Sequence, residues 1–150
     1  MIRQAKPEDF DSIDHIKKNG DPDGRHEASE SFRSKILGCP EGCFVCEVDK
    51  EVVGYIISFP YTLWEYFPIN ESYRKVEDPD CHYIYDFCVD KKHRGKGYDI
   101  SLVDAVLRIK SNPKVLVSSL DSEGFWKNFG FQSQKTVDHQ GSNFVYMVKT

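Results

Sequence analysis

The chain has 150 residues, with 20 Lys and Arg against 24 Asp and Glu, a formal net charge of −4 with histidine neutral. Its 39% hydrophobic and 13% aromatic content supplies a core for one domain, taken as residues 1–150, and excludes wholesale disorder. The mild acidity excludes a general nucleic-acid binder, which would be basic, and the lack of any apolar run of about 18 residues excludes a membrane-spanning helix.

Met1-Ile2-Arg3-Gln4 opens into amphipathic sequence without a signal-peptide core, so a soluble cytoplasmic protein is expected. A short apolar start at Ile2 leads to Pro7-Glu8-Asp9, a helix opening with proline early and acids near the positive end of the dipole. Phe10, Ile13 and Ile16 form one face and Gly20 ends the helix. Asp21-Pro22-Asp23-Gly24 is a turn, and Phe32, Ile36 and Leu37 predict a second helix closed by Gly38 and Pro40. Cys43 to Val48 and Val52 to Phe59 are strands joined across Asp49-Lys50-Glu51. From Pro60 to Asp80 the chain is long, aromatic and irregular, the place for a functional loop. His82 to Val89 is the next strand, Asp90 to Gly97 a turn, and Tyr98 to about Lys110 a helix with Ile100, Val103, Val106 and Leu107 on one face. Asn112-Pro113 stops it. Lys114 to Ser119 is a strand, Ser122 to Phe129 a short helix closed by Gly130, and Phe131 to Val137 with Asn143 to Val148 a hairpin across His139-Gln140-Gly141-Ser142. Both hairpins and a crossover imply an α/β (α+β) fold with a mixed sheet.

Cys39, Cys43, Cys46, Cys81 and Cys88 are odd in number, and free thiols are expected. Cys39-x3-Cys43-x2-Cys46 is similar to the cluster-ligand triplet of radical SAM enzymes, but Cys43 to Val48 reads as a strand rather than a ligand loop. No second Cys or His pair follows at zinc-finger spacing, and no metal site is expected.

The stretch Val89-Asp90-Lys91-Lys92-His93-Arg94-Gly95-Lys96-Gly97-Tyr98 carries the chemistry. Strand, glycine-rich turn and helix start make an anion site: free backbone N–H groups converge, the dipole favours negative charge, and glycine lets a phosphate approach the main chain. The bland alternative is a solvated basic turn. The spacing fits neither a P-loop nor a dinucleotide fingerprint, whose third glycine is missing.

With the strand Tyr83-Ile84-Tyr85-Asp86-Phe87-Cys88-Val89, the turn Arg94-Gly95-Lys96-Gly97 and the segment Ser122-Glu123-Gly124-Phe125-Trp126-Lys127-Asn128-Phe129-Gly130-Phe131, the chain resembles the GNAT (GCN5-related) N-acetyltransferase superfamily over nearly its whole length. The resemblance implies a mostly antiparallel sheet of six to seven strands flanked by about four helices and splayed at strands 4 and 5. It further implies acetyl-CoA as cofactor, with CoA as product. Phe87, Cys88 and Val89 would pair with the pantetheine, and Arg94, Gly95, Lys96, Gly97, Tyr98, Asp99 and Ile100 would surround the phosphates. Ser119, Ser122, Phe125 and Trp126 would complete the cofactor site. Three positions depart from the family pattern: Asp99 stands where Gly or Ala is usual, Ser119 replaces a common asparagine, and Trp126 takes the place of a tyrosine that protonates the departing thiolate. An indole N–H donates a hydrogen bond but does not release a proton at neutral pH.

Attack on a thioester needs a neutral amine, whereas a primary alkylamine of pKa about 10.4 is protonated at pH 7. Asp86 is the candidate base, directly or through water, and Tyr85 and Tyr83 could supply a proton or a hydrogen bond. The acidic, aromatic segments 20–31 and 60–80 would suit a small amine with several ammonium groups, a diamine or polyamine, with Glu27 and Asp78 as distal anchors and Asp80 and Glu30 behind them. A peptide or protein lysine is the competing acceptor, and a CoA-binding sensor without turnover the competing class. No nucleic-acid or membrane partner is expected, and the assembly is a monomer or homodimer.

Overall fold

The computed structural model describes residues 1–20, 27–139 and 141–150; the turn expected at Asp21-Pro22-Asp23-Gly24, and Gln140, lie outside the described residues. These form seven strands, β1 (Ile2–Gln4), β2 (Cys43–Val48), β3 (Glu51–Tyr61), β4 (Cys81–Val89), β5 (Lys114–Ser119), β6 (Gln132–His139) and β7 (Ser142–Lys149). The four α-helices are α1 (Phe10–Gly20), α2 (Ser29–Gly38), α3 (Tyr98–Leu107) and α4 (Glu123–Lys127). One mixed sheet runs β1-β2-β3-β4-β5-β7-β6, antiparallel throughout except for the β4–β5 pair.

Two cores lie on opposite faces of this sheet. Ile13 and Ile16 of α1 and Phe32 and Ile36 of α2 pack with Tyr55, Ile57, Phe59 and Tyr146 on one face. Leu102, Val103 and Val106 of α3 and Trp126 of α4 pack with Val53, Ile56, Ile84 and Met147 on the other. The buried stripe of α3 is therefore Leu102, Val103 and Val106, and Ile100, expected on it, is 51% exposed. Residue 100 lies about 200° around the helix from residue 102, so the two cannot share a core face. Leu37 at the end of α2 is likewise 61% exposed. The β2–β3 hairpin turns on two residues, Asp49 and Lys50, both at positive φ (51° and 67°), rather than the three expected. That geometry matches the right-handed twist of the flanking strands.

Lys114 and His82 illustrate how polar groups are buried here. α3 ends at Leu107 rather than at the expected Lys110, and the Lys114 ammonium donates to the carbonyls of Ile109 and Ser111 in the segment that follows, each at 2.6 Å. His82 donates through Nε2 to Ser58 Oγ at 2.8 Å, because the Ser58 hydroxyl proton is committed to the Gly42 carbonyl at 2.6 Å. A Cβ on Gly42 would stand 2.2 Å from the Ser58 carbonyl oxygen, so only glycine permits this approach. Burial, helped by Lys114, lowers the His82 pKa to about 4 from 6.5. The unfolded chain therefore binds the extra proton between those values, and the stability present above pH 6.5 is lost as pH falls towards 4. Linkage gives a loss of about 2 kcal/mol between pH 7 and pH 5. Urea midpoints of the wild type and His82→Gln should show that slope in the former and not the latter; equal slopes would contradict it.

Candidate active site

The site begins with a break in strand pairing. β3 and β4 pair from Tyr61↔Cys81 to Ser58↔Ile84 and then resume at Ile57↔Asp86, so Tyr85 is an extra residue, a β-bulge in β4. Two neighbours thus share a face: Tyr83, Tyr85 and Cys88 pack against the α1/α2 core, and Asp86 reaches Lys17 of α1 and Tyr55 of β3. Phe87 and Val89 turn to the α3/α4 core. β4 is parallel to β5 only from His82↔Lys114 to Ile84↔Leu116, whereas β5 stays paired with β7 through Ser119↔Phe144. Beyond Ile84 the two strands splay, and a cavity of about 290 Å³ opens between them, lined by Tyr85, Asp86, Phe87, Ser119, Ser122 and Trp126 among others.

A second cavity of about 460 Å³ adjoins it at the β4–α3 turn. Gly95 and Gly97 both adopt positive φ, 80° and 85°, and Gly97 immediately precedes α3, which leaves the first-turn amides facing outward. Nothing lies within 4 Å of the place a Cβ on Gly97 would take, so the turn is an open cradle. Arg94 is pinned by its Nε to the Val89 carbonyl at 3.0 Å. Asp99 turns its carboxylate onto its own helix, where Oδ1 accepts the Ile100 N–H at 2.8 Å and takes one of those amides.

Of the cofactor positions read from sequence, all but Lys96, Gly97, Ile100 and Ser119 line this cavity; Ser119 lines the smaller one. Gly20, His93 and Asp121 also line it and were missed. Gly20 reads only as a helix terminator, yet a Cβ there would stand 2.7 Å from Cys88 Sγ. The wall is aromatic: Phe87 stacks on Phe125 with centroids 5.7 Å apart, and Trp126 meets Phe87 edge to face at 5.6 Å.

The acid–base candidates divide. Tyr85 borders the smaller cavity, whereas Tyr83 is buried in an aromatic cluster with Phe59 and Tyr61 and borders neither. Burial raises the pKa of both phenols, with Glu27 and Asp86 adding to the effect at Tyr85, so both are neutral. Asp86 is surrounded by donors: Lys17 Nζ and the Tyr55 hydroxyl (2.9 Å) bond Oδ2, and the Phe87 N–H bonds Oδ1 at 2.9 Å. Lys17 also stands 3.5 Å from Glu27 Oε1, and Lys35 Nζ is 2.5 Å from Glu27 Oε2. Lys35 further donates to the Glu71 carbonyl at 2.8 Å and lies 4.4 Å from the centre of the Tyr85 ring. Burial lowers the Lys35 pKa against the pull of Glu27. At Lys17 burial acts the same way, but Asp86 and Glu27 outweigh it and the pKa is raised.

The expected acceptor anchors are scattered. The Glu27 side chain is wholly enclosed with the two lysines. Glu30, Asp78 and Asp80 are exposed, and Asp80 Oδ1 accepts the Leu63 N–H at 2.7 Å. Asp80 precedes Asp86 by six residues, roughly 20 Å at strand rise. None of the four lines either cavity. The cysteines are unpaired, and burial raises the thiols of Cys39 and Cys81 to about 12, which makes them poor nucleophiles.

A sequence model described as Acetyltransferase (GNAT) family matches residues 8–131. Among solved structures, Ard1 from Thermoplasma volcanium superposes with a TM-score of 0.80 at 21% identity, over 99% of this chain and 95% of that one. An N-acetyltransferase from Staphylococcus aureus Mu50 superposes at 0.70 and 20% identity, over 99% of each chain. Arabidopsis thaliana Naa50, in complex with the bisubstrate analogue CoA-Ac-MVNAL, superposes at 0.75 and 16% identity, over 100% and 97%. No curated protein matches the sequence significantly.

Proposed function

Because the chain belongs to the Acetyltransferase (GNAT) family and is therefore an acyltransferase, we propose that it moves the acetyl group of acetyl-CoA to a primary amine. The observation that supports this most is the splay of β4 from β5 beside the Gly95/Gly97 cradle, where two adjoining cavities share Phe87, Ser122 and Trp126. The residues present fit the ligand. The α3 amides, Arg94 and Lys96 would hold its phosphates, Phe87, Cys88 and Val89 would run along its arm, and Phe125 and Trp126 would wall it. Acetyl-CoA supplies an activated thioester.

Of the two tyrosines, Tyr85 is the better proton donor, since it borders the cavity and Tyr83 does not. Asp86, with Lys17 and Tyr55 already on one oxygen, serves as the acceptor for the incoming ammonium and hands its proton to water. The amine of an acceptor with little other charge, such as a peptide N-terminus, suits a site whose carboxylates are already neutralised. Arabidopsis thaliana Naa50, which shares this fold, was captured with the bisubstrate analogue CoA-Ac-MVNAL, and that supports a peptide amine. A diamine or polyamine is the second reading, favoured by the exposed carboxylates Glu30, Asp78 and Asp80.

Thiol release from acetyl-CoA in the presence of peptide amines, butylamine, putrescine and spermidine tests the reading. Release with at least one of them is expected, reduced at least tenfold by Tyr85→Phe. Saturable acetyl-CoA binding without release across the whole panel would instead identify a sensor. Spermidine or putrescine exceeding butylamine at least tenfold would establish the second reading.

A further inference from the structure

Four buried or half-buried charges alternate along a line from α2 to the bulge. Lys35 bonds Glu27 at 2.5 Å, Glu27 faces Lys17 at 3.5 Å, and Lys17 bonds Asp86. Side-chain exposure rises along this line from 0% at Lys35 and Glu27 through 15% at Lys17 to 25% at Asp86. The dry end is thus fixed inside the α1/α2 layer and the wet end borders the cavity between β4 and β5. Two ammoniums and two carboxylates sum to zero, and the nearby phenols, Tyr55 and Tyr85, are neutral. Arg94 sits beyond Cys88, 4.0 Å from its sulfur. Lys17 is the one member of the line that reaches both carboxylates.

We propose that Lys17 is a specificity-determining residue of the acceptor site: its ammonium occupies the face of Asp86 that a second substrate ammonium would use, and so holds the site to acceptors carrying a single positive charge. The inference rests on the amine-transfer reading and names its substrate class. A cation entering the splay meets Asp86 already neutralised, and a second cation nearby is repelled by the Lys17 ammonium bonded behind that carboxylate. Like charges at such separations repel strongly where water is scarce. Removing Lys17 leaves Asp86 with an unmatched charge at the cavity wall, while Glu27 keeps Lys35.

The test compares acceptors matched in shape but differing by one charge: butylamine with putrescine, and Met-Leu-amide with Met-Lys-amide. In the wild type the kcat/KM ratio of dication to monocation should lie well below one for each pair the enzyme uses. Lys17→Met and Lys17→Gln should raise it at least tenfold, and Lys17→Arg should keep the wild-type ratio. A general loss of folding lowers both acceptors together and cannot move the ratio. A ratio unmoved in both neutral variants, or moved equally by Lys17→Arg, would overturn the role of Lys17 while leaving amine transfer intact. A wild-type enzyme that releases CoA with none of the four would overturn the amine-transfer reading, and this inference with it.

Discussion

Replacing Glu27 by alanine is expected to destabilise the protein by about 3–5 kcal/mol, the usual penalty for removing one partner of a fully buried ion pair. Its carboxylate and the Lys35 ammonium both have no exposed side-chain surface, and Lys17 leans on the other oxygen. Without Glu27, Lys35 keeps, among the described residues, Ser31, the Glu71 carbonyl and the faces of Phe67 and Tyr85, none of them an anion, as partners for an ammonium taken out of water. For a chain of this size the melting temperature should fall by roughly 10 °C. The double replacement Glu27→Leu with Lys35→Met should recover most of the loss, because a well-filled apolar pair does not carry the desolvation penalty of two ions. Urea unfolding of the single and double variants measures both. A loss below about 1 kcal/mol for Glu27→Ala is the size of an exposed pair, and would mean that Glu27 is free to serve as the acceptor anchor read from the sequence.

The second large effect concerns the turn before α3. Gly97→Glu should weaken acetyl-CoA binding at least a hundredfold, which is about 2.7 kcal/mol, and leave the fold in place. The φ of 85° at Gly97 costs any L-residue about 1–2 kcal/mol, a loss that Gly97→Ala measures alone, since an added Cβ meets nothing within 4 Å. The glutamate adds a negative charge beside the outward-facing amides of α3, where a diphosphate would sit. Calorimetric titration of the three proteins separates the terms. Similar affinity in alanine and glutamate variants would show that the phosphates bind elsewhere.

The architecture was legible where local chemistry decides it. Gly-x-Gly between a strand and a helix marked the open cradle, and apolar alternation marked the strands up to a residue or two at their ends. The faces of the helices were less so. In α3 both Ile100 and Leu102 fit a helical stripe, and only docking on the sheet selects Leu102. Lys17 and Lys35 could not be found from sequence, because lysine reads as a solvent residue and its burial here depends on Glu27, which is 10 residues from one and 8 from the other. Asp86 was identified from its place on the strand, but the bulge that turns it and Tyr85 to one face is a matter of pairing with β3, which no single strand's pattern reveals. Trp126, which stands where the family has a proton-donating tyrosine and cannot take over that role, is also a core aromatic, with Phe131 at 5.6 Å behind it.

The path from cradle to splay is tested most directly by amide chemical-shift mapping as CoA is titrated into the labelled protein. The largest changes should fall on Phe87 to Val89 and on Gly95 to Ser101, with smaller ones at Ser119, Phe125 and Trp126. Saturation with those amides unmoved, and the shifts clustered on another part of the sheet, would contradict the site.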